Sequence, residues 1–462
     1  MRVISEHDLK LEMNRRELNR LDRDLTEYLD SMLESMGRVE RVAAMRSYVT
    51  GLLLDGERKS IEPMAARLVD RANQVQAMRQ RLQQAVTIAS WSDRVLLDRL
   101  AMKIELELPG VQAFVLDDTG FAKKGAHSVG VARQYSGTLG RVDNCQVATS
   151  LHLASETASA CIAFDLYLPE AWAKDSARRR RAGVPEEVSF RTKGQIALAQ
   201  IDQALAAGVR KHVVLGDAGY GDSTEFREAL SARGLSYVVA VNGEPMVWPP
   251  ESRPRPPTRK QAGRPPTRYV DKDYPPERIA DLAARLRFRR LTWREGSRGW
   301  QASRFAAVRI RTAHHHTNCA PPGAEQWILV EWPAGEAKPN RFWLSTMPPS
   351  TSIRTLVRLA KLRWRVERDY QEMKQEVGLD HYEGRTWRGF HHHAALCALA
   401  HGFLALRRAL FPPEQNEVDD LAAQASASAG PAAPNPALPA MPTAQRLHPS
   451  TVGDLANVIR SY

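Results

Sequence analysis

Leu18, Leu21, Leu25, Tyr28, Leu29 and Met32 recur at three- and four-residue intervals among charged residues, so the chain from about residue 6 to 108 is expected to be helical, with one apolar stripe per helix. Ser60 offers a cap to a helix whose first turn holds Pro63. At Val111 the period changes. Residues 111–116 are apolar without alternation and lead into Asp117-Asp118-Thr119-Gly120, which predicts a buried strand ending in a polar turn. A glycine-rich stretch through Gly125, Gly130, Gly137 and Gly140 follows, then strands over 145–153 and 160–168 joined by a hairpin at Glu156-Thr157. Thr192 and Gln195 form a capping box that opens a helix to about Ala207. A strand over 212–216 ends on Asp217, and a helix over 224–233 leads to a strand over 237–241. The expected order is β-β-β-α-β-α-β.

Prolines and arginines interrupt this pattern from 244 to 276, alternation returns over 287–346, and helices are expected over 350–377 and 389–410. Five regions result: an N-terminal helical domain (1–108) suited to DNA binding, the first part of an α/β core (109–243), a Pro/Arg-rich arm with a β-rich insertion (244–348), the second part of the core (349–411), and a tail (412–462) whose Ala, Pro and Ser content predicts disorder. The longest mostly apolar stretch, 394–406, contains His401 and Gly402 and falls short of the ~20 residues a bilayer span needs, so no membrane partner is expected. The N-terminus lacks the apolar run and cleavage site of a secretory signal, so the chain is expected in the cytoplasm.

With 43% hydrophobic residues in 462, whole-chain disorder is excluded. A net charge of +12, from 65 basic and 53 acidic residues, favours polyanionic partners. Cys145, Cys161, Cys319 and Cys397 are too dispersed for a metal knuckle or a disulfide framework and read as free thiols. The runs His314-His315-His316 and His391-His392-His393 lack the spacing of ligands, because consecutive side chains diverge, and read as structural or DNA-facing.

The candidate chemistry lies in acids at the ends of the first and fourth core strands and on the late helix. Open α/β sheets bind ligands at such strand ends, and carboxylate oxygens suit hard divalent cations. On a helix, Arg363, Glu367, Tyr370 and Lys374 fall on one stripe bordering the apolar Leu359, Leu362, Val366 and Met373, whereas Glu372 and Glu376 fall on the far side and are expected to be solvated. A plain alternative stands beside this: Asp after a strand often forms only a turn, and Arg363 with Glu367 makes an ordinary i,i+4 ion pair. Spacing alone leaves that alternative slightly ahead. Asp117 and Asp118 point to opposite faces if both lie in a strand, so only one serves as a ligand.

Arg363-Trp364-Arg365-Val366-Glu367 followed by Lys374 resembles the Y-R-E-K signature of bacterial insertion-sequence transposases of the DDE class. Asp117-Asp118-Thr119-Gly120-Phe121-Ala122-Lys123-Lys124-Gly125, the stretch from His127 to Gly137, and Tyr382-Glu383-Gly384-Arg385 resemble one branch of that class. The resemblance implies an α/β chain with an RNase H-like mixed five-stranded sheet and flanking helices, an N-terminal α-helical domain, and a β-rich insertion before the last catalytic helix. It further implies Asp118, Asp217 and Glu367 as catalytic ligands of two Mg²⁺ ions, with Mn²⁺ as a substitute. Arg363 and Lys374 are the implied contacts to double-stranded DNA, at transposon ends and target, with a homodimer on the DNA; Lys123 and Lys124, just after the first aspartate, are placed to meet DNA phosphate or to serve as plain surface. The signature tyrosine falls on Ala360, which leaves its role unfilled or taken by Tyr370. A stand-alone metal-dependent nuclease and a non-catalytic DNA-binding regulator are the alternatives. Arg253-Pro254-Arg255-Pro256-Pro257 and Gly263-Arg264-Pro265-Pro266 suit minor-groove arms or solvated linkers, 178–181 reads as a solvated arginine loop, and Trp293 and Trp300 suit base stacking or burial between strands.

Overall fold

The computed structural model describes residues 15–258, 268–295, 299–313 and 321–410; the arginine–proline motif at 263–266, the histidines at 314–316, Cys319 and the tail beyond 410 lie outside the described residues. Among the described residues the α-helices α1 (Arg15–Leu33), α2 (Val39–Leu53), α3 (Ile61–Arg67), α4 (Val75–Gln83) and α5 (Asp93–Glu107) come first. Leu21, Leu25, Tyr28, Leu29 and Met32, on the stripe predicted for α1, are buried. Ser60 is the N-cap residue of α3 without a side-chain cap bond, whereas Ser92 caps α5 by accepting from the Val95 N–H.

The core follows as β1 (Ala113–Ala122), β2 (Ala132–Ser136), β3 (Arg141–Ala154), β4 (Ser159–Leu166), α6 (Glu170–Lys174), α7 (Ser176–Ala182), α8 (Lys193–Ala206), β5 (Val213–Gly216), α9 (Ala218–Gly221), α10 (Thr224–Ala232) and β6 (Tyr237–Val241). The capping box at Thr192 and Gln195 is formed in both directions, and the β3–β4 hairpin turns at Glu156-Thr157. Strands lie in the order β4-β3-β1-β5-β6, with β3 alone running against the other four, which is the RNase H-like arrangement expected.

Three expectations about this region are corrected. β1 does not stop before the acids: it continues through Asp117 and Asp118 because β3 pairs with it over the whole length, from Ala113↔Ala154 to Ala122↔Cys145. Part of the glycine-rich stretch forms β2, which pairs with the start of β3, and the arginines at 178–181 lie on α7 rather than in a loop.

The insertion comprises β7 (Met246–Trp248), β8 (Glu277–Arg278), α11 (Ile279–Ala284), β9 (Arg289–Arg294), β10 (Trp300–Thr312), β11 (Glu325–Trp332) and β12 (Arg341–Ser345). Its strands join the core rather than forming a separate sheet. β12 pairs antiparallel with β6, so among the described residues twelve strands make one sheet, and the edge that β6 would otherwise expose is covered.

The long helix expected over 350–377 is divided at Arg363 into α12 (Ile353–Leu362) and α13 (Trp364–Gln375). The final helix, α14 (Trp387–Leu410), is buried from Gly389 to Leu406 and packs against α2, α5, α13 and β4, so it joins the N-terminal helices to the sheet. The Tyr28 hydroxyl donates to the Leu399 carbonyl at 2.8 Å across this contact. His391, His392 and His393 are all buried here, which makes them structural and not DNA-facing. Glu372, expected in solvent, is 2% exposed because α14 covers that side of α13; it pairs with Arg368, His401 and Arg408. Burial works against its charge, but His401 and Arg408 hold its carboxyl down at about 2. Cys145, Cys161 and Cys397 are buried free thiols. No described helix is long and apolar enough to cross a membrane.

Candidate active site

β1 and β5 run parallel with Val115 level with Leu215, so Asp117, still in β1, and Asp217, the residue after β5, each stand two residues beyond this pair. Asp217 is also the N-cap of α9, its Oδ1 accepting from the Tyr220 N–H at 3.3 Å. Gly221 ends that short helix against β6, where a Cβ would lie 1.8 Å from the Ala240 carbonyl oxygen. Glycine is therefore needed for the backbone that carries Asp217 to sit this close to the sheet.

The third acid reaches the same place through Arg363. From the junction of α12 and α13, its guanidinium donates to Asp117 Oδ2 at 3.1 Å and to Glu367 Oε1 at 2.7 Å. Burial opposes the charge of Arg363, yet Asp117, Glu367 and Asp217 together hold it protonated more firmly than usual. The Asp117 carboxyl is pushed up to about 6: burial is the main cause, and the Asp217 and Asp118 charges add to it against the pull of Arg363 and the Asp118 N–H. A half-buried acid raised partly by a second acid is in a position to bind a cation.

Asp118 is placed elsewhere, which corrects the expectation that it joins Asp217 and Glu367. Neighbours in a strand point to opposite faces, and α13 covers the face of Asp117 while α8 and α9 supply the partners on the other. Asp118 Oδ2 accepts from Lys193 Nζ at 2.5 Å, and Oδ1 accepts from the hydroxyls of Tyr220 and Thr149. Lys193 and Tyr220, which the sequence did not single out, hold Asp118 on that face. Lys193 follows the capping threonine of α8, and that position is a weak signal by itself.

Among the described residues, no group of three His, Cys, Asp or Glu side chains is gathered tightly enough to hold an ion. Arg363 instead bridges Asp117 and Glu367, and its charge stands between two of the acids that a cation would need. The donor set, two buried or half-buried aspartates and a glutamate on hard oxygen, fits a divalent cation of the magnesium type.

The cations are distributed along the same strand. Lys374 Nζ donates to the Gly120 carbonyl at 3.0 Å and lies 5.1 Å from the centre of the Phe121 ring, and burial lowers its pKa. Lys123 donates to the Tyr382 carbonyl at 3.2 Å, and its pKa too is lowered by burial, against Asp380 and Glu383. Lys123 and Lys124 line a cleft of about 750 Å³ with Arg58 and Arg385 but also with the acids Glu57, Asp380 and Glu383, the last paired with Arg58, and Lys124 is exposed. Tyr370, the candidate for the missing signature tyrosine, is 9% exposed with its hydroxyl 2.6 Å from Ser150 Oγ, so that hydroxyl faces the interior. Trp293 packs edge-on against Phe305 and beside the Lys361 ammonium, whereas Trp300 is 61% exposed.

The family described as DDE superfamily endonuclease matches residues 31–300, a range that contains Asp117 and Asp217. A protein of Microchaete diplosiphon described as a probable transposase for insertion sequence element IS701 is 29% identical over 215 residues, which are 45% of this chain and 51% of that protein. The chain thus spans about half the length of the curated relative it matches.

Proposed function

Because the chain belongs to the DDE superfamily endonuclease family, we propose that it is a DNA transposase that cleaves transposon ends and joins the freed 3′-hydroxyl to target DNA. The observation that carries this reading is the Asp117 carboxyl, half-buried beside Asp217 and tied through Arg363 to Glu367. Asp117, Asp217 and Glu367 would hold two Mg²⁺ ions, for which Mn²⁺ substitutes. Bound there, the ions supply Lewis acidity to the scissile phosphate and lower the pKa of the attacking water.

The protein's own groups do the rest. Arg363 neutralises the acids in the free protein and offers its planar fork to a phosphate oxygen. Lys374, which lies over Phe121, meets the strand next to the scissile bond, and Lys123 and Lys124 offer further phosphate contacts at the mouth of the adjoining cleft of mixed charge. In each step an oxygen nucleophile, water first and the DNA 3′-hydroxyl second, attacks phosphorus and displaces a 3′-oxygen, with no covalent bond to the enzyme. Two copies, each holding one end, would act together.

Glu367→Gln tests the assignment, since Glu367 is half in solvent and its loss leaves the fold intact. The variant is expected to bind DNA as the wild type does and to lose cleavage by at least about a hundredfold, on the scale of several kcal/mol supplied by metal-assisted charge stabilisation. Cleavage at the wild-type rate would remove Glu367 from the site.

A further inference from the structure

Behind the acids lies a chain of side-chain hydrogen bonds sealed from solvent. Ser150 and His152 are 0% exposed, Asp369 2% and Tyr370 9%. The Tyr370 hydroxyl is 2.6 Å from Ser150 Oγ, Ser150 Oγ is 2.8 Å from His152 Nε2, and His152 Nδ1 is 2.6 Å from Asp369 Oδ2. Asp369 Oδ1 accepts from Ser159 Oγ at 2.7 Å. One direction of donation satisfies every member: Tyr370 to Ser150, Ser150 to His152, His152 to Asp369.

This is the connectivity of a Ser-His-Asp triad, but no substrate reaches Ser150, which is enclosed on β3 with its oxygen engaged by Tyr370. The two ends of the chain carry its meaning. Ser150 is the cross-strand partner of Asp117, so the two side chains share one face of the sheet. Asp369 and Tyr370 follow Glu367 by two and three residues on α13. The bonds therefore run from beside one acid of the site to the helix that bears another. Apolar packing would hold α13 against the sheet with some freedom to slide or turn; directional bonds between buried groups fix a single placement.

We infer that Ser150, His152, Asp369 and Tyr370 are positioning residues for the cation site, setting Glu367 at its distance from Asp117 and Asp217 without touching DNA. This rests on the functional reading above. It is tested in the full chain with Tyr370→Phe, which removes one hydroxyl and keeps the ring, and with His152→Gln. Mn²⁺ binding is measured from the electron paramagnetic resonance of the free ion, and Mn²⁺-dependent nicking of supercoiled plasmid and plasmid binding are measured alongside.

Partners that orient metal ligands typically cost 10–100-fold in affinity or activity when removed. The Mn²⁺ concentration for half-saturation is expected to rise about tenfold for Tyr370→Phe and up to about a hundredfold for His152→Gln, with plasmid binding unchanged. Should His152→Gln fail to fold, Tyr370→Phe decides. Wild-type Mn²⁺ affinity in a variant, whether or not it melts at a lower temperature, confines the chain of bonds to stability and overturns the inference while leaving the cation site standing. Wild-type protein that binds no Mn²⁺ overturns the functional reading and this inference together.

Discussion

Replacing Asp117 and Asp118 separately with Asn should produce opposite effects on stability and on activity. Asp117 is half-buried, with its carboxyl raised to about 6 from an ordinary 3.8. A carboxyl raised in the folded state contributes stability when protonated and loses that contribution as pH climbs through 6, so at pH 7.5 its charge costs up to about 3 kcal/mol. Asp117→Asn removes that charge, keeps the side-chain shape, and leaves Arg363 its bond to Glu367. The metal-free variant is therefore expected to unfold at a higher urea concentration than the wild type, while its cleavage falls at least about a thousandfold with the loss of a ligand.

Asp118→Asn acts in reverse. It loses the half-buried ion pair with Lys193, and the Tyr220 hydroxyl bonds to a neutral amide, a cost of about 1–2 kcal/mol, yet cleavage remains within about tenfold of the wild type. Urea unfolding and plasmid nicking on the two proteins make the comparison. Inactive Asp118→Asn beside active Asp117→Asn would refute the assignment of faces on which the site is built.

Three other outcomes follow from the same structure. Because Asp117 must ionise to bind a cation, apparent Mn²⁺ affinity is expected to be flat above about pH 6 and to fall about tenfold per pH unit below it; an affinity independent of pH between 5 and 7 contradicts this. His393 is held neutral down to about pH 4 by burial, with the Tyr48 hydroxyl on Nδ1 at 2.9 Å, so resistance to unfolding is expected to be full above about 6.5 and to decline by up to about 3 kcal/mol toward pH 4, with a shallower slope in His393→Gln. Gly221→Ala forces a methyl group onto the Ala240 carbonyl and should destabilise by at least about 1–3 kcal/mol and impair cleavage through Asp217, whereas Gly125→Ala, which meets nothing within 4 Å, should leave the unfolding midpoint unchanged.

Much of this was legible in the chain itself where one element's own pattern decides the matter. The buried strand that carries the first acid, the strand ending on Asp217, the capping box at Thr192, and the Arg363–Glu367 pair all follow from local period and spacing. What escaped depends on a neighbour. The sequence shows that Asp117 and Asp118 oppose each other, but the choice between them requires knowing which face α13 covers. Glu372 lies outside the apolar stripe of its helix, and only the packing of α14 explains its burial. β1 reads as stopping at its acids, because the pairing with β3 that extends it comes from residues some thirty positions later. The insertion reads as separate because nothing in its pattern says that β12 continues the sheet from β6. His152 looks like an isolated histidine in a strand until Asp369, more than two hundred residues away, is brought to its Nδ1.

The central claim, that Asp117 rather than Asp118 shares a cation with Asp217 and Glu367, is tested most directly by the anomalous scattering of Mn²⁺ in crystals of the protein bound to DNA. The account predicts Mn²⁺ peaks against the Asp117 and Asp217 carboxylates, with Asp118 still paired to Lys193. Mn²⁺ on Asp118, or at a place none of the three acids reaches, would contradict it.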